Sequence, residues 1–208
     1  MQARAGTNAS AGLVRIDVWR GDDARRSTRD LVTEALGIPA DELTLGFGPH
    51  GKPFVAASGR DARFSVARTR NVTIIATASG IELGADVESL DRDVTRWAMW
   101  RQVLTPEEAE GLPADGAARR IELLRRWVRR EALLKAAGVG LSVDPSSVRL
   151  GGGGAVVAVP SSLGSREAWT IRDVDIGSCV AAVACRHPAI SVACTEMTEG
   201  STSIRDRA

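Results

Sequence analysis

The most informative segment of the chain is Trp127-Val-Arg-Arg-Glu-Ala-Leu-Leu-Lys-Ala-Ala-Gly-Val-Gly-Leu141, the end of its longest helical pattern. The pattern predicts a helix over residues 118–137, which Gly138 and Gly140 terminate. One face of this helix carries three apolar and two charged residues at spacings of 3 and 4: Ile121, Leu124, Val128, Glu131 and Lys135. The acid and the base therefore lie in an inward-facing stripe.

Glu131 and Lys135 are unusual in this stripe, because a charge in apolar surroundings is costly unless it is paired or bound. They stand four residues apart in the favourable order, so they could simply pair with each other. Their inward position favours a functional site instead. The opposite face carries four arginines, which would form a solvated surface or a dock for an acidic partner: Arg125, Arg126, Arg129 and Arg130.

The composition of the whole chain excludes several classes of protein. Of 208 residues 44% are apolar, so a sizeable core can form and intrinsic disorder is excluded. A net charge of +1 argues against a general nucleic-acid or membrane-surface binding protein. No apolar run approaches the roughly 20 residues that span a bilayer, and residues 1–12 lack the apolar core of a secretory signal. Three cysteines without a CxxC motif are typical of reduced thiols in a cytoplasmic protein.

Strand and helix patterns mix along the chain, which predicts an α+β fold. Predicted strands cover residues 13–19, 64–66, 72–78, 81–88, 169–174 and 179–184, with 81–88 hairpinned to 72–78. A glycine-centred hairpin joins 148–150 to 155–159. Further helices are predicted from Asp22 or Asp23 to Leu36, over 91–103, and from Thr105 onward, with residues 111–117 as a loop. We divide the chain into a lead (1–12), two halves (13–92 and 93–193) and a polar tail (194–208).

The segment Gly84-Ala-Asp86-Val-Glu88 ends one of these strands. Side chains two residues apart in a strand share a face, so Asp86 and Glu88 point the same way. The two carboxylates repel unless water, a base or a cation lies between them, and Mg²⁺ is commonly held by one or two carboxylates. The alternative is an exposed strand end with two solvated acids.

The segment Gly51-Lys52-Pro53 is a weaker signal. Glycine lets a backbone approach a ligand and proline stiffens the chain after it, but the three residues could also form only a turn. Of the 27 basic residues, all except Lys52 and Lys135 are arginines. Both lysines therefore lie in segments that are candidates for a site.

Taken together, the motifs resemble those of the surfactin-type 4′-phosphopantetheinyl transferases. The family shows, in order, GKP, a short Phe-led strand, G-[IV]-D-[VI]-E and W-x-x-K-E-A-x-x-K-x-x-G-x-G-L. Here they read Gly51-Lys-Pro53, Phe64-Ser-Val-Ala-Arg-Thr69, Gly84-Ala-Asp-Val-Glu88 and the segment 127–141. The resemblance covers residues 13–185. The last motif is the most specific, because seven of its positions match: Trp127, Glu131, Ala132, Lys135, Gly138, Gly140 and Leu141.

The resemblance implies a fold of two similar α/β halves related by a pseudo-twofold axis, with coenzyme A and Mg²⁺ in the cleft between them. It implies transfer of phosphopantetheine from coenzyme A to a serine of an apo acyl or peptidyl carrier protein, with release of adenosine 3′,5′-bisphosphate. We expect a cytoplasmic monomer with no nucleic-acid or membrane partner.

The resemblance also assigns roles to individual residues. The metal ligands would be Asp86, Glu88 and Glu131. Glu131 would also be the base for the carrier serine, and Lys135 would contact the phosphates. The coenzyme A contacts would be Arg26, Lys52, Arg68, Thr69, Asp86 and Lys135.

The chain departs from the family at three positions near these residues. The usual Ser-His pair is Ala67-Arg68 here; the histidine contacts the 3′-phosphate in the family, and an arginine could do so with a two-pronged contact. The lysine that usually precedes the motif's glutamate is Arg130, which we interpret as a mild change on the outer face of the helix.

Three other functions remain as alternatives. A Mg²⁺ nuclease carries Glu and Lys two apart on a strand, whereas here they are four apart on a predicted helix. An RNA-binding domain using the arginine face would be expected to have interleaved aromatic residues, and the chain has no Tyr and 3 Phe. A catalytically weakened module that binds carrier proteins or coenzyme A is the third alternative, which the Ala67-Arg68 change would permit.

Overall fold

The computed structural model describes residues 11–57, 61–94, 100 and 103–197, and this part of the chain forms eleven strands and three α-helices. The predicted α+β class is confirmed. The helices are α1 (Thr28–Leu36), α2 (Pro106–Glu110) and α3 (Gly116–Ala137). The strands are β1 (Gly12–Arg20), β2 (Thr44–Phe47), β3 (Pro53–Ala57), β4 (Ala62–Thr69), β5 (Val72–Ser79), β6 (Leu83–Ser89), β7 (Arg149–Leu150), β8 (Val156–Ala158), β9 (Thr170–Asp175), β10 (Cys179–Cys185) and β11 (Ile190–Glu196).

Seven strands form two sheets that pack face to face. The first has the order β11-β1-β5-β4, in which β1 and β11 are parallel and the other pairs antiparallel. The second is antiparallel, with the order β6-β10-β9. Buried apolar side chains of both sheets meet in one cluster, which includes Ile16, Ile74, Val87 and Val183. The other strands form the hairpins β2–β3 and β7–β8.

Strand β6 is buried on both faces. Its residues Ala85 and Val87 belong to the cluster between the sheets. On the other face, α3 lies across β6 and β10, with Leu124 and Val128 fully buried in a second cluster. Since side chains alternate along a strand, the face that carries Asp86 is the one that meets the helix.

Helix α3 begins and ends where its sequence has strong terminal signals. The Asp115 side chain accepts a hydrogen bond from the Ala118 amide at 2.7 Å, and Gly138 ends the helix at a φ of +70°. The helix predicted over residues 118–137 is therefore confirmed. It starts two residues earlier than predicted, within the segment expected to be a loop.

Helix α1 starts later than the sequence predicted. Asp23–Arg25 form a separate 3-10 turn, and the backbone is extended at Ser27. The Ser27 hydroxyl accepts a hydrogen bond from the Asp30 amide, so it caps the helix in place of Asp22 or Asp23.

The predicted hairpin between residues 72–78 and 81–88 is wrong. Strand β5 pairs with β1 and β4, whereas β6 pairs with β10. Both strands are buried on two faces, so alternation of apolar residues carried no information about their neighbours. The hairpin β2–β3 and the last strand β11 were not predicted, and β11 reaches into the polar tail as far as Glu196.

Most of the helix predicted over residues 91–103 lies outside the described residues; of the others, Trp100 is helical, whereas residues 91–94 and Val103 are not. The capped helix predicted at Thr105 is confirmed as α2, with a capping box between Thr105 and Glu108. The three cysteines are free. No helix within the described residues is both long and apolar enough to cross a membrane.

Candidate active site

Gly84 brings β6 and α3 into direct contact. A side-chain carbon here would lie 2.2 Å from both the Ala132 carbonyl oxygen and the Ala136 amide nitrogen. Backbone atoms cannot move aside as a flexible side chain can, so the contact requires glycine. It places Asp86, two residues further along β6, beside the part of α3 that carries Lys135.

Asp86 and Lys135 form an ion pair across this contact. The lysine Nζ donates to Asp86 Oδ1 at 2.6 Å, and the carboxylate is almost fully buried. Burial raises the pKa of the Asp86 carboxyl above its ordinary value, and the charge of Lys135 opposes this rise. The second oxygen, Oδ2, is buried and has no hydrogen-bond partner.

Glu131 lies next to this pair, one helical turn before Lys135. Burial raises the pKa of its carboxyl, and the charge of Asp86 raises it further, so the two carboxylates are close enough to repel. Its Oε1 is also buried without a hydrogen-bond partner. The prediction that Glu131 and Lys135 lie in an inward-facing stripe of the helix agrees with their partly buried positions.

The two unpartnered carboxylate oxygens fit a hard divalent cation such as Mg²⁺, which prefers oxygen ligands at one or two carboxylates. A three-carboxylate centre is not assembled, since no group of three or more His, Cys, Asp or Glu side chains in the described part of the chain could hold an ion. Glu88, the third ligand that the resemblance implies, instead forms an ion pair with Arg92.

Lys52 inserts its amino group at the crossing of β6 and α3. Its Nζ donates to the carbonyls of Leu83 and Ala136 at 3.0 and 3.1 Å and to Glu82 Oε2 at 3.3 Å. Burial lowers the pKa of this amine, and Glu82 opposes the shift. All three donors of the ammonium group are therefore engaged within the protein.

Two adjoining cavities of about 250 and 260 Å³ meet at Lys52. Glu131 and Lys135 line the first, together with His50 and Ser65. The second lies between the β2–β3 hairpin and the end of α3, and its lining includes Phe54, Arg63, Glu82 and Gly138. The candidate catalytic residues thus open onto a cleft that is large enough for part of a nucleotide-sized ligand.

Three predicted coenzyme A contacts lie away from these cavities. Arg68 donates to the carbonyls of Ala24 and Arg26 and to Thr28 Oγ1, so it ties the end of β4 to the start of α1. Arg26 pairs with Glu34 at 2.8 Å. The third residue, Thr69, is the half-buried last residue of β4.

The prediction that four arginines lie on the outer face of α3 is wrong for two of them, Arg129 and Arg130. Arg129 is buried and pairs with Asp173, while Arg130 is fully buried and contacts both carboxylate oxygens of Glu108. The replacement of lysine by Arg130 is therefore not a mild surface change. The residues around 145–150 and α2 cover this side of the helix, and they are too distant in sequence for periodicity to show it.

Sequence reasoning missed two residues of the site. Ser65 Oγ accepts a hydrogen bond from the Ala85 amide at 3.0 Å, so it joins β4 to β6 beside the first cavity. His50 lines the same cavity, one residue before Gly51. The only available signal was their position in or beside the GKP and Phe-led segments.

A family model described as the 4′-phosphopantetheinyl transferase superfamily (ACPS) matches residues 82–178. This range includes Gly84, Asp86, Glu88, Glu131 and Lys135. No curated protein matches the chain significantly. The matched segment covers just under half of the chain, and over these residues the chain is similar to this superfamily.

Proposed function

We propose that the protein is a surfactin-type 4′-phosphopantetheinyl transferase that moves phosphopantetheine from coenzyme A to a serine of an apo carrier protein in a Mg²⁺-dependent reaction. The observation that carries this proposal is the Asp86–Lys135 pair beside Glu131, in which each carboxylate has one buried oxygen without a partner, while Glu131 and Lys135 line a cleft. The superfamily match over the same residues supports it.

Asp86 and Glu131 would hold the Mg²⁺ ion, with Glu88 as the third ligand that the resemblance implies. When bound, the ion would neutralise charge on the pyrophosphate of coenzyme A. Asp86 and Glu131 suit the role because each has one buried carboxylate oxygen, Oδ2 and Oε1 respectively, without a hydrogen-bond partner.

Glu131 would take the proton from the carrier serine, directly or through one water. The serine oxygen then bonds to the phosphorus of phosphopantetheine, and the bond from that phosphorus to adenosine 3′,5′-bisphosphate breaks. Lys135 is a compact charge that can follow the transferring phosphate if it leaves Asp86. We also propose that residues 13–92 and 93–193 form two halves related by a pseudo-twofold axis. The protein would act as a monomer in the cytoplasm.

The test is the intact mass of an apo carrier protein after incubation with this protein, coenzyme A and Mg²⁺. We expect a gain of one phosphopantetheine that requires the metal. Glu131→Gln and Asp86→Ala should each lower the rate by at least about 100-fold, because they remove a base or a metal ligand. Lys135→Arg should also lower it, since a planar guanidinium cannot replace the ammonium in the contact with Asp86.

Glu167→Gln is the matched control, because Glu167 is an exposed acid on the surface. Its rate should equal that of the unchanged protein. Wild-type-like transfer by Glu131→Gln or Asp86→Ala would show that the site is assigned to the wrong residues.

A module that binds coenzyme A or a carrier protein without turnover is the second candidate. The resemblance implies that Lys52 and Arg68 contact the phosphates of coenzyme A. In the structure both side chains donate to backbone carbonyls instead, and this favours the second candidate. Coenzyme A binding by calorimetry without any transfer to several carriers would support this candidate over the enzyme.

A further inference from the structure

Arg92 lies in the turn after β6, and its guanidinium forms an ion pair with Glu88. Glu88 is two residues beyond Asp86 on the same strand, so both acids project toward α3. The structure therefore places a cation directly on one of the three carboxylates of the candidate site.

This pair differs from an ordinary surface ion pair, which contributes little to stability. The Glu88 side chain is only 16% exposed, and that of Arg92 is 34% exposed. The strand that carries Glu88 is held between a sheet and a helix, so the acid has little freedom to turn elsewhere. While the pair is formed, Glu88 is neutralised by Arg92, whereas Asp86 Oδ2 and Glu131 Oε1 are buried without a hydrogen-bond partner.

We propose that Arg92 is an internal counter-ion that competes with the divalent cation for Glu88 and thereby lowers the metal affinity of the site. The inference rests on the proposed function, because it takes the three carboxylates as metal ligands. In this arrangement Asp86 and Glu131 bind the ion first, and Glu88 joins them only when Arg92 moves away. Arg92 thus determines the metal concentration at which the site fills.

The experiment measures Mn²⁺ binding to the ligand-free protein by electron paramagnetic resonance, with no coenzyme A or carrier present. Arg92→Gln should bind Mn²⁺ about tenfold more tightly, because loss of a nearby positive charge removes both competition and repulsion. Arg125→Gln is the control, since it removes an exposed arginine from α3, and its affinity should be unchanged.

The double variant Arg92→Gln/Glu88→Gln separates competition from simple repulsion. If Arg92 acts through Glu88, the double variant loses most of the gain, whereas Glu88→Gln alone changes the affinity by less than about threefold. Unchanged or weaker binding by Arg92→Gln overturns the proposal. A large loss of Mn²⁺ affinity in Glu88→Gln alone also overturns the proposal, because Glu88 would then already bind the metal. This result does not depend on whether Arg92→Gln folds.

The measurement distinguishes this inference from the proposed function. Metal-dependent transfer by the unchanged protein, with no gain in Mn²⁺ affinity in Arg92→Gln, removes only the counter-ion. Failure of both the unchanged protein and Arg92→Gln to bind Mn²⁺ removes the metal site and the counter-ion together. Tighter binding in Arg92→Gln without any transfer activity supports the counter-ion and contradicts the proposed reaction.

Discussion

Gly84 is the residue on which the approach of β6 to α3 depends. We expect Gly84→Ala to lower the free energy of unfolding by about 3 kcal/mol, at the upper end of overpacking effects, because its methyl group would strike the backbone of Ala132 and Ala136. Urea unfolding measures this change. Gly116→Ala is the control, since nothing lies within 4 Å of the added carbon and alanine favours a helix. Equal stability of Gly84→Ala and the unchanged protein would contradict the close contact.

Individual residues of the site could be predicted only where a local pattern marked them. Glu131 and Lys135 stood out because charges interrupted an apolar stripe, and Asp86 because it lay near the end of an apolar strand. The partner of Lys135 could not be predicted, since Asp86 is 49 residues away and only the packing of α3 on β6 brings the two together. The engagement of Glu88 by Arg92 was equally hidden, because the order of charges does not say which acid faces a cation.

At the scale of elements, α2 and α3 are joined by the buried pair of Glu108 and Arg130. Arg130 contacts both oxygens of Glu108 at 2.5 Å and also donates to the Val148 carbonyl at 3.0 Å. Arg130→Met should lower the free energy of unfolding by about 3–5 kcal/mol, because it leaves a buried carboxylate without its partner. Chemical denaturation measures the loss.

The double variant Arg130→Met/Glu108→Gln should recover part of this stability. The amide carries no charge, and its oxygen can still accept from the Thr105 or Leu150 amide, which Glu108 does now. Arg125→Met changes an exposed arginine of the same helix and should stay within about 0.5 kcal/mol of the unchanged protein. A loss below about 1 kcal/mol in Arg130→Met would mean that the pair does not join the two helices.

The helices and strands could be predicted best where the local sequence marked their periodicity and their ends. Helix α3 has a periodic stripe and terminal glycines, and its end was predicted to the residue. Strand pairing was not predictable, because β5 and β6 are apolar on both faces and their neighbours lie far apart in sequence. The β2–β3 hairpin was missed because its strands are only four and five residues long and the segment that joins them is rich in glycine and proline.

At the scale of the whole molecule, β11, the last strand of the described residues, completes the first sheet. Strand β11 pairs in parallel with β1, and Ile190 packs into the cluster that also contains Ala85 and Val87 of β6. This closure could not be predicted, because a parallel pair between strands so far apart along the chain leaves no local mark in the sequence. Its consequence is that the face of β6 opposite the candidate site rests on residues from the last described strand.

The shared cluster makes the two sheets one cooperative unit, so damage at β11 should reach β6. Ile190→Ala should lower the free energy of unfolding by about 2–5 kcal/mol through the cavity it leaves. Hydrogen exchange should then show the same loss of protection in the amides of β1 and β6, because both open only when the cluster does. Val157→Ala, which truncates an exposed side chain on β8, should change neither. Loss of protection confined to β11 and β1 would show that the sheets unfold separately and that the site does not depend on the closing strand.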